Sequence, residues 1–411
     1  MKKLLWLSDS ALSTTGFSNQ TRNICNRLQA SGLWDCWQAG HNYGNRNLEP
    51  PIKFADSDEV LNFHVLGNDL RFPYCRELLP EYFAKIRPHA FGVLLDTFML
   101  MMHQPSDWFL KLNIPCKSFF YFPSDGRHFP LGCERVLQKV DLPIAMSKFG
   151  QQQVKELFDI NAEHIPHGCD ASKFIPYDEE KKRQIRQQAG IPKDAFVISA
   201  NFRNQGRKNI HLMLRTLKLF FERHNDAIAL FNADPYDVAS PNNVPALMHR
   251  YKITHKIFWT GTKWYAGLPE EKVIDFYNCS DVNFLMTTGE GFCIPLIEGM
   301  SCEIPQVVTD YTTTREIVTD HNAGLGIKLI ATDEAPYDHR KDFYKGEITG
   351  SWEVERGIAD YEDAVEKLEW CYQNREKAKQ LGKNGRKAVI ESYDWNVLMP
   401  RWLKVLEKLT E

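Results

Sequence analysis

Apolar and polar positions along the chain fall into alternating blocks. MKKLLWL, then SDSALSTTGFSNQ, then TRNICNRLQASG predicts a strand, a glycine-containing loop and a helix. Short apolar runs follow at intervals, FHVLGN, AFGVLLD, KSFFYFP and LPIAMS, with helical patterns between several of them. In KFGQQQVKELF, the spacing of Phe149, Val154, Leu157 and Phe158 predicts one apolar helical face. Strands alternating with helices argue for a doubly wound parallel sheet. This first unit closes near PHGCDASKFIPY.

The pattern then restarts. A charged helical stretch, EEKKRQIRQQAGIPKDA, ends at Gly190 and Pro192. AFVISAN, AIALFNAD, KIFWTG, DVNFLM and PQVVTD predict strands, with helices over NIHLMLRTLKLFFERH and EEKVIDFYNCS. Residues 331–352 are polar and unpatterned and read as a loop; from Asp360 onward the pattern is wholly helical. The expected α/β architecture is two Rossmann-like domains, 1–177 and 178–385, with a helical segment over 386–411. In open α/β sheets ligands bind beyond the carboxyl ends of the strands, so a cleft between two such sheets is the expected site.

Bulk properties narrow the class without naming a function. A chain of 411 residues exceeds one ordinary core. It is 43% apolar and 25% charged, which places it among globular proteins. The net charge of -3 gives no reason to expect a polyanionic partner. Ten cysteines are scattered without C-x-x-C or zinc spacing, which fits a reducing compartment and predicts a cytoplasmic protein without a metal site. The opening MKKLLWLSDS has too short an apolar run for a signal peptide or a spanning helix.

The chemistry concentrates in GEGFCIPLIEGM, residues 289–300. It follows a strand, so its first residues form a loop at a carboxyl end, and Pro295 suits the first turn of a helix that stops before Ile304 and Pro305. Backbone N–H groups at Phe292, Cys293 and Ile294 would then face an anion. Glu290 in the loop and Glu298 in the helix suit hydroxyls better than phosphate, as acidic residues serve ribose in dinucleotide folds. A phosphate flanked by polyols requires cations. NFRNQGRKN supplies Arg203, Arg207 and Lys208, of which Arg203 and Lys208 are expected to reach one diphosphate and stabilise the leaving group. Read alone, either stretch also fits a bland account: a buried segment with an acid at each edge, and a solvated basic turn.

Arg203-x4-Lys208 together with Glu290-x7-Glu298 resembles the retaining nucleotide-sugar glycosyltransferases of family 4 with the GT-B fold. Gly16 in STTGFSNQ, the segment AMSKFG, PHGCDASKFIP with His167 in place of an Asn, GFCIPLIEGMSCEIPQVVTD followed by TTTREIV, and SYDW are similar to further elements of that family, in its order. The resemblance implies that Glu290 binds donor-sugar hydroxyls and Glu298 the ribose. Arg203, Lys208 and the backbone from Gly291 through Phe292 and Cys293 to Ile294 would hold the diphosphate, and Gly16 would let its loop approach the donor. Transfer from a UDP or GDP type sugar to an acceptor hydroxyl would proceed with retention and without cofactor or metal, carried by Glu290, Arg203 and Lys208. The helix RWLKVLEKL would pack back on the first domain.

Departures leave the acceptor open. Where the family carries a His-Asp pair, KSFFYFPSDGRHF offers Asp125 and, nearby, His128. Glu303 takes a usual glycine and Gly299 a usual alanine. Asp56-Ser57-Asp58 has D-x-D form but reads as a solvated turn; Met99, Met101, Met102 and His103 fit an acceptor pocket or an apolar contact, Trp34 and Trp37 core or edge positions, and HNYGNRN a cleft loop or a turn. Rival readings are a phosphorylase or hydrolysing epimerase on the same fold, a degenerate nucleotide-sugar-binding protein, and a glycosyltransferase acting on modified DNA bases; no basic cleft rim supports the last. No strongly basic amphipathic helix predicts docking to a membrane surface.

Overall fold

A computed structural model describes residues 1–41, 43–44, 46–54, 59–71, 73–101, 108–263, 265–336 and 353–411. Asp56, Ser57, Asp58, Met102, His103 and two asparagines of HNYGNRN, Asn42 and Asn45, lie outside the described residues. The chain forms two compact units, each built on one parallel sheet. One holds Met1–His167 and Asn396–Glu411, the other Gly168–Glu334 and Glu355–Trp395.

The first sheet comprises β1 (Lys2–Ser8), β2 (Trp34–Gly40), β3 (His64–Leu66), β4 (Ala90–Leu94), β5 (Lys117–Phe122), β6 (Leu142–Ala145) and β7 (Glu163–His164). Its order is β3-β2-β1-β4-β5-β6-β7, the doubly wound pattern in which the chain reverses direction beside the first strand. The apolar runs lack polar alternation because both faces are covered. Leu5, Leu7, Phe91, Val93, Phe120 and Phe122 fill one side. Trp6, Phe119 and Tyr121 point to the other, where the ring of Trp402 lies 6.0, 6.1 and 5.1 Å from theirs. Gly92 pairs with Phe119 in register, and a Cβ there would lie 2.2 Å from the Phe119 ring.

The second sheet comprises β8 (Phe196–Asn201), β9 (Ala227–Asn232), β10 (Ile257–Trp259), β11 (Val282–Leu285), β12 (Gln306–Thr309) and β13 (Gly324–Ile327). Its order, β10-β9-β8-β11-β12-β13, repeats the winding of the first. The helix over NIHLMLRTLKLFFERH is Ile210–Arg223, burying Met213, Leu214, Leu217 and Phe220. Asp178 caps the charged helix Glu179–Gln188 by accepting from Lys181 N–H.

Three expectations change. The break between units falls after His167, not at Tyr177, and again after Trp395, not at residue 385. The reason is local docking: Cys169 N–H donates to Tyr393 O at 2.9 Å, Arg386 Nη1 to Phe174 O at 3.0 Å, and Ala171 N–H to Asp394 Oδ2 at 2.9 Å. A Cβ on Gly168 would lie 2.5 Å from the Trp395 ring, so PHGCD and SYDW are matched pieces of one joint. Second, the supposed loop 331–352 begins as strand: β14 (Leu329–Pro336) pairs with β15 (Glu353–Ala359), and residues 337–352 lie outside the described residues. Third, helix Lys148–Phe158 buries Gly150 and Val154 but leaves Leu157 41% exposed, so its apolar face is narrower than the spacing predicts. Among the described residues no helix is long and apolar enough to cross a membrane.

Candidate functional site

The carboxyl edge of the second sheet carries the predicted residues. After β8 the chain makes a single tight turn, Gly206–Lys208, closed by Asn209 in a left-handed conformation (φ 50°). That turn docks on the loop after β11: Thr288 N–H donates to Arg207 O at 2.8 Å and Thr287 Oγ1 to the same oxygen at 3.2 Å. The docking turns two side chains inward. Lys208 Nζ reaches Glu290 Oε1 at 2.5 Å and Arg207 Nη1 reaches Glu290 Oε2 at 2.7 Å.

Glu290 is fixed from both sides. Its N–H donates to Thr312 Oγ1 at 3.2 Å, and Thr313 Oγ1 donates to its carbonyl at 2.6 Å, so TTTREIV acts as its backbone clamp. Burial opposes its ionisation, but Arg207 and Lys208 outweigh that and hold the carboxyl down at about 2. Glu290 and Lys208 are both buried, and the trio carries one net positive charge. Such a cluster suits an incoming anion.

Glu298 lies in helix Ile294–Ser301, with Pro295 in its first turn. Burial raises its carboxyl to about 7, opposed by a hydrogen bond from Tyr277 OH to Oε2 at 3.0 Å. Cys293 precedes the helix at φ 76°, and Glu303 follows it at φ 61°. Both are left-handed positions that favour glycine, so the glycine the family places at Glu303 answers a backbone demand. A Cβ on Gly299 would lie 3.0 Å from Gln306 Nε2 and 3.3 Å from the Tyr277 ring, so a larger residue there requires those side chains to shift by a few tenths of an ångström.

The other predicted residues separate. Arg203 is exposed and turned to Asp237, Nε to Oδ2 at 3.0 Å, while Asp237 Oδ1 accepts from Ala239 N–H at 2.9 Å. Lys208 and Arg207, not Lys208 and Arg203, therefore share the buried carboxylate. Gly16 and Asp125 belong to the first unit. Gly16 opens helix Gly16–Ala30, whose cap Thr15 accepts from Ser18 N–H. Asp125 is buried after β5, and the exposed His128 takes a left-handed φ of 56°. His167 is buried and neutral, its proton affinity lowered to about 3 by burial, with Nδ1 2.7 Å from Tyr121 OH. Met99 and Met101 pack into the first core, Trp34 is buried, and Trp37 stacks on His64 at 3.7 Å. Sequence reasoning did not single out Asp237, which holds Arg203, or Tyr277, which donates to Glu298.

Residues 181–335 match the family model of glycosyl transferases group 1, and the chain has the GT-B fold of two doubly wound units. Curated relatives include a D-inositol 3-phosphate glycosyltransferase of Corynebacterium jeikeium, 23% identical over 185 residues, covering 43% of this chain and 43% of that one. Another is the serotype-specific mannosyltransferase WbdA of Escherichia coli, 20% identical over 340 residues, covering 75% of this chain and 38% of the relative. The chain thus spans under half the length of these relatives. Among solved structures, sucrose-phosphate synthase of Thermosynechococcus elongatus aligns with a TM-score of 0.74 at 14% identity, covering 100% of this chain and 99% of that one. Anabaena HepE in complex with UDP and glucose aligns with a TM-score of 0.72 at 13% identity, covering 99% and 100%.

Proposed function

We propose that the protein is a glycosyltransferase that moves a sugar from a nucleotide-diphosphate donor to an acceptor hydroxyl, with retention and without a metal ion. The observation that carries this reading is the convergence of Arg207 and Lys208 on the buried carboxylate of Glu290, at the carboxyl edge of the sheet. A donor diphosphate draws Lys208 toward itself, and Arg207 keeps Glu290 ionised. The bond between the anomeric carbon and the phosphate oxygen breaks, and its electron pair leaves with the diphosphate. The acceptor oxygen bonds to the anomeric carbon on the same face and passes its proton to the departing phosphate oxygen. Lysine and arginine beside the leaving group stabilise the charge that builds there. Glu290 serves the sugar hydroxyls, Glu298 the ribose, and Arg203 the outer edge of the diphosphate. A donor of UDP type is favoured by the UDP complex of the similar HepE structure.

The test is a thermal-shift screen of UDP, GDP, ADP and their sugar conjugates in EDTA, followed by donor turnover. A nucleotide that binds only the folded state raises the melting temperature. Glu290→Gln should lower turnover by roughly 10²–10³-fold while nucleotide binding survives. Full turnover in that variant removes Glu290 from the site. A shift that requires added metal removes the metal-free mechanism.

A further inference from the structure

Two neighbouring strands of the second sheet finish on, and a third is followed directly by, a side chain that both donates and accepts. Asn201 ends β8 and Asn232 ends β9, paired in register, and Thr260 follows β10 with its N–H on Phe231 O at 3.0 Å. Parallel register puts the three side chains in one row. They form a chain running one way. Thr260 Oγ1 donates to Asn232 Oδ1 at 2.8 Å, Asn232 Nδ2 to Asn201 Oδ1 at 3.0 Å, and Asn201 Nδ2 to Tyr277 OH at 2.8 Å. Tyr277, fully buried on helix Glu270–Asn278, has one proton and lies 3.0 Å from both Pro295 O and Glu298 Oε2. Whenever Glu298 is ionised its carboxylate is a stronger acceptor than the Pro295 carbonyl, so the row delivers its last proton there. Each donor in such a chain polarises the next. Glu298 Oε1, by contrast, takes no hydrogen bond from the described residues.

We propose that Thr260, Asn232, Asn201 and Tyr277 are positioning residues that commit one oxygen of Glu298 and leave the other to accept the ribose hydroxyls of a nucleotide, so that the row sets preference for ribonucleotides over dideoxynucleotides. This rests on the nucleotide-sugar reading above. The amides are not themselves catalytic; they act through Tyr277 on the carboxylate. Because the row ends at Thr260, beside Thr262 at 3.0 Å, its far end lies two strands away from β8, whose Asn201 meets Tyr277. A change there is felt at Glu298 only through the chain.

The test is calorimetric titration of the full chain with UDP, GDP and ADP and with their 2′,3′-dideoxy counterparts. Wild type should favour the tightest-binding ribonucleotide over its dideoxy form by about 30-fold, the worth of hydrogen bonds to a charged group. In Tyr277→Phe that preference should shrink to about threefold, with dideoxy affinity unchanged. Thr260→Val, isosteric and remote, should lose about two- to threefold of the preference and keeps the test valid if the tyrosine variant folds poorly. A Tyr277→Phe protein that weakens both nucleotide forms equally, keeping the wild-type ratio, overturns the positioning role while the nucleotide reading stands. A wild type that binds none of the six overturns both.

Discussion

Two glutamates in one short segment have opposite surroundings. Glu290, in the loop, is held by Arg207 and Lys208 and stays ionised down to about 2. Glu298, in the helix that follows, meets a neutral phenol, and its carboxyl titrates at about 7. Spacing alone makes them look like a matched pair. Their partners make one a fixed charge inside a cationic cluster and the other a buried carboxyl that accepts from the Tyr277 hydroxyl and exchanges its proton near neutrality.

The largest test of that contrast strips one cation. Lys208→Met leaves a buried carboxylate with half its compensation and should cost about 3–5 kcal/mol in denaturant unfolding. Tyr277→Phe, which removes a neutral donor from the other glutamate, should cost only about 1 kcal/mol. Equal costs would erase the distinction.

pH separates the two by sign. Glu290 has a lowered folded value, so its stabilisation is present above 4.5 and is lost as pH falls toward about 2. Glu298 has a raised folded value, so its contribution is present below 4.5 and is lost as pH rises through about 7. Wild type should therefore lose up to about 3 kcal/mol across that upper window relative to Glu298→Gln. Parallel stability curves for the two proteins would show that Glu298 does not titrate there. The smallest expected effect lies at the end of the helix that carries Glu298. Glu303→Gly should gain about 0.5–1 kcal/mol by relieving a left-handed backbone, and a loss would point to a side-chain role for Glu303.

The architecture was legible because strands buried on both faces leave uninterrupted apolar runs, as in LLWL, FFYF and AIALF. Strands without such runs were not: β7 is two residues long and β13 reads GLGI, with glycine at its first and third positions. At the candidate site, spacing singled out both glutamates and Lys208, and the fold brings Lys208 onto Glu290. Which of Arg203 and Arg207 joins Lys208 was not, because a single tight turn decides it and places Arg207 inward and Arg203 against Asp237. Tyr277 was hidden for a different reason. Its partners, Asn201 on β8 and Pro295 and Glu298 on helix Ile294–Ser301, are brought to it only by sheet register and helix packing.

The seat of Trp402 against Trp6, Phe119 and Tyr121 imposes an order on biosynthesis. Chains fold largely as they emerge from the ribosome, unit by unit. Here the unit that starts first finishes last: everything from Gly168 to Trp395 has left the tunnel before the indole that closes the earlier core arrives. Until then the nascent chain carries an open aromatic face, and it is during this interval, rather than in the finished protein, that a chaperone would find it.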